Sequence, residues 1–254
     1  MKIIILAGKG ESTKYIYNGI KDQIIIDSVL VTDSISSKEI IKNRIKKLGI
    51  VNVVNQLVFQ LLVISVLKFL SKHQIEKRKN ELGLISNNIS GSGLIDVGMV
   101  NSKKCIETIQ LINPDIIIVN GTSIISKKVL ESTKAIFINT HVGITPQYRG
   151  VHGGYWALRN RDHENFGVTI HKVDTGIDTG DIIYQSTCSV SPKDNFLTYP
   201  LYQYALAIPL LINAISDIKN NNLKLYTKEK GQSKLYYHPT FTSYIKGWLK
   251  DGIK

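Results

Sequence analysis

Phe137–Gln185 reads FINTHVGITPQYRGVHGGYWALRNRDHENFGVTIHKVDTGIDTGDIIYQ. A strand over Ala135–Asn139 brings Asn139 and His141 to one edge. Two residues apart in extended chain, they point to the same side. A loop rich in Gly and Pro follows, then a helix near Tyr155–Asn160 and a strand over Val168–Val173. The turn DTGIDTGD presents Asp174, Asp178 and Asp181, and Ile182–Val190 leaves it as a further strand. Strands separated by a helix and tight turns place the chain in the α/β class.

The same alternation extends in both directions. Upstream, Asp115–Val119 is an apolar strand after the Asn113-Pro114 break, Ser102–Leu111 has helical spacing, and Ser126–Ser132 is a short helix. Ile3–Ala7 is a buried strand closed by Gly8 and Gly10, followed by a polar helix near Ser12–Ile20. Ile24–Val31 reads as a second buried strand ended by Thr32-Asp33-Ser34. Ser37 reads as the N-cap of a helix over Lys38–Leu48, with Glu39 in its first turn. The expected architecture is a Rossmann-like, mostly parallel sheet with helices on both faces and right-handed crossovers. Ligands on such sheets lie beyond the carboxyl ends of the strands, where Gly121–Ser126 and Thr140–Gly150 fall. Downstream, Leu201–Ile218 is a helix that Pro209 should kink. The tail from Asn220 is basic and aromatic, with Tyr226, Tyr236, Tyr237 and Tyr244. Residues 1–190 are read as the main domain, and 191–254 as a helix and tail packed on it.

One segment departs from the pattern. Leu48–Leu67 holds no charged residue, and lysines flank both ends (Lys46, Lys47, Lys68, Lys72). Asn52, Asn55, Gln56 and Gln60 recur at helical steps and share one stripe. Four amides make a poor lipid-spanning face. The segment therefore reads as an inserted long apolar helix, packed in the molecule or forming a homodimer, or touching a membrane peripherally through 48–70. Residues 71–80 are strongly charged and are expected to carry the helix on into solvent, and Ser86–Gly93 is a turn-rich joint.

Composition constrains the rest. The 254 residues are 43% hydrophobic and 20% charged, enough for one large core. The net charge of +12, with Lys and Arg clustered at 42–47, 68–79 and 244–254, favours anionic partners. Cys105 and Cys188 lack metal or disulfide spacing, which points to a reducing, cytoplasmic compartment with no structural metal. The N-terminal apolar run is too short for a signal peptide.

A histidine that exchanges one proton near neutrality, a carboxylate to orient it and an amide N–H for a developing oxyanion together suit attack of an amine on an acyl carbon. The substrate amine is then the nucleophile, so no Ser or Cys is required. Other readings of the same residues stand beside this one. Asn-x-His is common in structural strands, and Asp174, Asp178 and Asp181 could be turn-formers or ligands of a divalent cation.

Three features together, Asn139-Thr140-His141, TPQYRG at Thr145–Gly150 and GVTIHKVDTGIDTGDII at Gly167–Ile183, resemble the folate-dependent formyltransferases. That family includes glycinamide ribonucleotide, methionyl-tRNA and amino-sugar enzymes. The resemblance covers about 100–190, and 1–10 as a generic first strand. It implies the formyltransferase fold, 10-formyltetrahydrofolate as formyl donor, and Asn139, His141 and Asp178 as the catalytic set. It places the pterin against Thr122, Ser123, Ile124 and Ile125, with Asp174 closing the pocket. The family's common H-x-S-L-L-P reads HVGITP here, so Gly143 stands in place of Ser.

The chain after Gln185 is too short for the C-terminal domain of initiator-tRNA enzymes, so no nucleic-acid partner is expected. In AGKGEST, Gly8, Gly10, Ser12 and Thr13 could hold a phosphate at a helix N-terminus, with Glu11 an awkward neighbour. The expected acceptor is the amine of a nucleotide-linked amino sugar, as in cell-surface glycan synthesis. Glycinamide ribonucleotide, another small or lipid-linked amine, and a non-catalytic membrane-associated role are the alternatives.

Overall fold

The computed structural model describes residues 1–89, 93–227 and 233–254. The chain begins Ile3–Gly8 (β1), Glu11–Ile20 (α1), Ser28–Asp33 (β2), Ser37–Leu48 (α2), Ile50–Val58 (α3), Ile64–Leu70 (α4) and Lys72–Glu81 (α5). Next come Leu94–Met99 (β3), Lys103–Ile112 (α6), Ile116–Asn120 (β4), Lys127–Leu130 (α7), Ile136–His141 (β5), Arg149–Gly150 (β6) and Gly153–Arg159 (α8). It closes with Gly167–Lys172 (β7), Ile182–Thr187 (β8), Tyr199–Lys219 (α9), Leu235–Tyr236 (β9) and Phe241–Asp251 (α10).

Seven strands form one sheet in the order β3-β2-β1-β4-β5-β7-β8. The pairs from β3 to β5 are parallel, while β5–β7 and β7–β8 are antiparallel. The uninterrupted apolar runs of β1 and β4 follow from burial on both faces. Ile3, Ile5, Ile116 and Ile118 pack with Ile16 of α1 and Leu211 and Ile215 of α9. Ile4, Leu6, Ile117 and Val119 face the other way, onto Cys105 and Ile109 of α6. At the carboxyl ends of the central strands the backbones nearly touch. A Cβ on Gly8 would come within 2.5 Å of the Gly121 carbonyl oxygen, so glycine is what lets β1 and β4 deliver their loops side by side.

The structure corrects several expectations. The second strand starts at Ser28, and Ile25 is exposed because 24–27 is a connecting loop. Ser36, not Ser37, caps α2, its hydroxyl accepting from the Glu39 N–H. The long apolar helix forms over Ile50–Leu70, with a π turn inside it, but it does not continue into solvent. Gly49, at φ 79°, separates α2 from α3; a π-helical turn over Phe59–Val63 leads into α4; and Ser71 breaks the run. The charged α5 is then drawn back onto the domain. Ser71 is buried and accepts from Asn195, Arg78 pairs with buried Asp194 at 2.9 Å, and Lys79 reaches Glu76 and Glu11.

Two of the four stripe amides face the protein, whereas Asn52 is exposed and bonds only to the Leu48 carbonyl. Gln56 donates to the His238 carbonyl at 2.8 Å, and Asn55 accepts from the Thr242 N–H. Neither β3 nor α10 was anticipated, and α9 runs on through Pro209. Within the turn-rich joint Ser86–Gly93, residues 90–92 lie outside the described residues, as do 228–232 of the tail.

Candidate functional site

The carboxyl ends of β4 and β5, the β5–β6 loop, the Val173–Asp178 turn and the tail strand β9 enclose a cleft of about 550 Å³. That volume lies within the usual range for small-molecule sites. Asn139 and His141 rise from β5, as their two-residue spacing requires, and Asp178 meets them from across the turn.

Asp178 is the hub. Its Oδ2 accepts from the Gly150 N–H at 2.8 Å and lies 3.4 Å from His141 Nδ1. Its Oδ1 lies 3.4 Å from Asn139 Nδ2 and 3.5 Å from His171 Nε2. To aim this way the residue adopts φ 51°, a left-handed conformation that aspartate tolerates better than most residues. Burial alone would raise its carboxyl pKa. His141 in its protonated form, a proton on His171 facing it and the Gly150 N–H outweigh burial and hold it below the ordinary carboxylate value, so it is ionised at neutral pH, where the Gly150 N–H remains its firm donor.

His141 is 5% exposed, and its Nε2–H donates to the Tyr148 carbonyl at 2.7 Å. Burial lowers its pKa from the ordinary value, and Asp178 only partly opposes this. The free ring is therefore neutral near pH 7, with its lone pair on Nδ1 turned toward Asp178. This differs from the charged His141 that a neighbouring carboxylate alone implies; desolvation wins. Accepting one proton at Nδ1 would leave both ring nitrogens donating, one to a carbonyl and one to a carboxylate.

Backbone groups of the TPQYRG loop thus fix both side chains, the Tyr148 carbonyl holding His141 and the Gly150 N–H holding Asp178. The loop is locked in turn: the Tyr148 ring stacks on Tyr236 and its hydroxyl donates to Asp162. Gly143 makes this close approach feasible. A Cβ there would lie 2.5 Å from the Tyr148 carbonyl oxygen and 2.7 Å from His141 Nε2, so a serine in its place would wedge the pair apart.

His171 is a site residue that the sequence reading passed over. It is the direct cross-strand partner of Asn139, on β7. Its Nδ1–H donates to the Lys172 carbonyl at 2.7 Å, which leaves Nε2 free to accept from Asn139 Nδ2 at 3.1 Å. The antiparallel alternation of Gly167–Val173, read against β5, is the signal that could have found it.

Thr122, Ser123, Ile124 and Ile125 line the neighbouring wall. Ile125 is buried in the core beneath the loop, whereas Ile124 is exposed. Asn101 clamps this loop, donating to the Ile124 carbonyl at 2.9 Å and accepting from the Ser126 N–H at 2.8 Å. Among the described residues, the backbone N–H groups from Thr122 to Ile125 make no hydrogen bond, so they are open to a ligand edge. Asp174 also lines the cleft, with its carboxylate occupied by Thr179 Oγ1 and the Gly176 N–H. Asp181 stays outside the cluster, and no metal-binding group of three is found among the described residues. The AGKGEST hydroxyls are engaged internally: Ser12 and Thr13 accept from the Asn120 amide, and Thr13 donates to the Gly8 carbonyl.

Comparison with known proteins places the chain in a family. The formyl transferase family model matches residues 1–200. The chain is 32% identical over 141 residues to the methionyl-tRNA formyltransferase of Thermotoga maritima, covering 55% of this chain and 44% of that one. It is 41% identical over 90 residues to the Agathobacter rectalis enzyme of the same description, covering 35% and 29%. The chain thus spans less than half the length of these curated relatives. Among solved structures, a sugar N-formyltransferase from a Shewanella species superimposes with a TM-score of 0.55 at 17% identity, covering 91% of this chain and 75% of that one. Glycinamide ribonucleotide transformylase 1 from Symbiobacterium toebii gives 0.55 at 16%, covering 87% and 89%. At such identities the superpositions show the fold alone. The family match runs over most of the chain and includes the strands and turn that carry Asn139, His141 and Asp178; this protein belongs to the formyl transferase family.

Proposed function

We propose that the protein transfers a formyl group from 10-formyltetrahydrofolate to a primary amine, with Asn139, His141 and Asp178 as the catalytic residues. One observation carries this reading: a neutral imidazole, an ionised carboxylate and an amide N–H converge on one wall of a cleft of small-molecule size. The open backbone N–H groups at Thr122–Ile125, with Ile124 and Ile125 flanking them, suit the edge and faces of a pterin, and Asp174 borders the same pocket. The donor, when bound there, supplies an electrophilic formyl carbon.

His141 Nδ1 takes the proton released as the amine attacks. Asp178 then holds the imidazolium, while the Nε2–H stays on the Tyr148 carbonyl. Only one hydrogen of Asn139 Nδ2 is firmly held, by His171. The other makes a long 3.4 Å contact to Asp178 and is free to stabilise negative charge developing on the formyl oxygen. The proton on His141 can then pass to the leaving nitrogen, restoring the neutral ring. His171 positions Asn139 rather than touching the reacting atoms.

The acceptor is the amine of a nucleotide-linked amino sugar. Arg44 and Lys47 of α2 line the opposite wall, and neither is in an ion pair among the described residues. Burial lowers the Arg44 pKa with no carboxylate to offset the desolvation, so an incoming diphosphate would meet a cation already stripped of part of its water. Tyr237, anchored where its carbonyl accepts from Trp156 Nε1 at 3.0 Å, borders the same side and suits stacking on a base. Mass spectrometry of an amino-sugar nucleotide panel incubated with enzyme and donor tests this. Gain of one formyl group on a panel member is the expected outcome. Formylation of glycinamide ribonucleotide alone, with the panel unchanged, contradicts the acceptor assignment.

A further inference from the structure

The run Ile50–Leu70 is built inside out. Its inner side carries Gln56, bonded to the His238 carbonyl, beside Val53 and Phe59. Outward stand Val51, Val54, Leu61, Leu62, Val66 and Phe69. At about 100° per residue these six fall on one stripe, and the π turn at 59–63 takes up an extra residue midway. The exposure is large: 75% for Val51 and 85% for Phe69. Helix α10 widens the surface. A groove runs between α3 and Phe241, and Leu249 is exposed on its outer side.

The charge around this face is of one sign. No Asp or Glu occurs from Ile40 to Ile75. Lys46 and Lys47 stand near one end of the stripe, Lys68 and Lys72 near the other, and Lys246 and Lys250 on α10. All six are exposed, and none forms an ion pair among the described residues.

We propose that this apolar face with its lysine rim docks on an anionic phospholipid surface. Contiguous apolar area rimmed by cations is how interfacial helices seat themselves at a bilayer. The helices do not cross it, because Asn55, Gln56 and Phe59 tie their inner side to α10, the tail and the aromatic cluster. A second copy fits less well: a two-fold contact presents the same patch on both sides and sets lysine rim against lysine rim. Anionic headgroups neutralise that rim. The proposal does not depend on the formyl-transfer reading.

Co-sedimentation of the full chain with phosphatidylcholine vesicles, with and without phosphatidylglycerol, tests it. Binding is expected to the mixed vesicles, falling roughly tenfold or more with pure phosphatidylcholine or in high salt. Leu62→Ser with Phe69→Ser should abolish sedimentation at an unchanged thermal melting point. Lys68→Gln with Lys72→Gln leaves the apolar face intact and should weaken binding roughly tenfold. No sedimentation with either vesicle, or equal binding to both at all salt concentrations, overturns the proposal. So does a dimer in sedimentation equilibrium that the Leu62/Phe69 variant splits and that binds no vesicles.

Discussion

The cleft wall at Asn139–Asp178 and the helical excursion at Ile50–Leu70 handle polarity in opposite ways. In the cleft, the two histidines are buried and Asn139 and Asp178 half-buried, and each catalytic group is held by a partner the fold supplies: Gly150 for Asp178, Tyr148 for His141, His171 for Asn139. In the excursion Asn55 and Gln56 also turn inward and find partners, but most of the apolar residues are left outside. Burial alone does not distinguish function from scaffold here. What distinguishes them is whether a region's exposed or unspent groups match a ligand. The cleft leaves a lone pair on His141 Nδ1 and a loosely held Asn139 hydrogen, which suits chemistry. The excursion leaves bare hydrocarbon edged by lysine, which suits a surface.

Two phenylalanines on the excursion sharpen this contrast most. Phe59 is fully buried, edge-on to Phe196 at 5.1 Å between ring centroids, whereas Phe69 is 85% exposed. Phe59→Ala should cost about 3–5 kcal/mol of unfolding free energy. Phe69→Ala should stay within about 0.5 kcal/mol, as surface changes do. Chemical denaturation of both variants measures the difference, and equal losses would mean that the outer face is covered within the folded chain.

A smaller effect is expected in the cleft. Gly143→Ala places a methyl against the Tyr148 carbonyl and His141 Nε2 and should cost roughly 1–3 kcal/mol by overpacking. Turnover should fall with it, because the clash disturbs the hydrogen bond that sets the His141 tautomer. Unchanged stability and turnover would show that the loop yields freely.

His152 and His238 touch at 2.9 Å, and His238 lines the cleft. Burial, then each other and Arg44, push the His152 pKa down to about 3; burial and Arg44 push His238 down to about 4. Both lie below the unfolded value, so the unfolded chain takes up these protons first. Their contribution is full above about pH 6.5 and is lost as the pH falls toward the folded values, at up to about 1.4 kcal/mol per pH unit for each. Thermal melts between pH 7 and 4 should steepen accordingly, and His238→Gln should flatten that limb. An identical slope in the variant would assign the acid sensitivity elsewhere.

Much of the fold was legible in the sequence. Unbroken apolar runs at β1 and β4 mark strands buried on both faces, and Asn139, His141 and Asp178 stand in segments whose turns dictate their convergence. The misses have physical causes. β3 is an edge strand carrying exposed Leu94 and Asp96, so its apolar pattern is diluted. α10 contains Gly247, which weakens a helical reading yet leaves room for the Arg159 side chain packed against it. α5 reads as a solvent helix until Asp194, distant in the chain, captures Arg78. Tyr148 and Gly150 act in the site through backbone atoms, which no side-chain pattern reveals. His171 looks like an ordinary strand residue until the antiparallel register sets it against Asn139.

The most direct test of the catalytic assignment is the amine-dependent release of tetrahydrofolate from 10-formyltetrahydrofolate, followed for the native chain and for His141→Ala. A fall of at least about a hundredfold is expected, the scale of a positioned acid–base group, at a melting point close to native. Near-native turnover in His141→Ala would contradict the assignment.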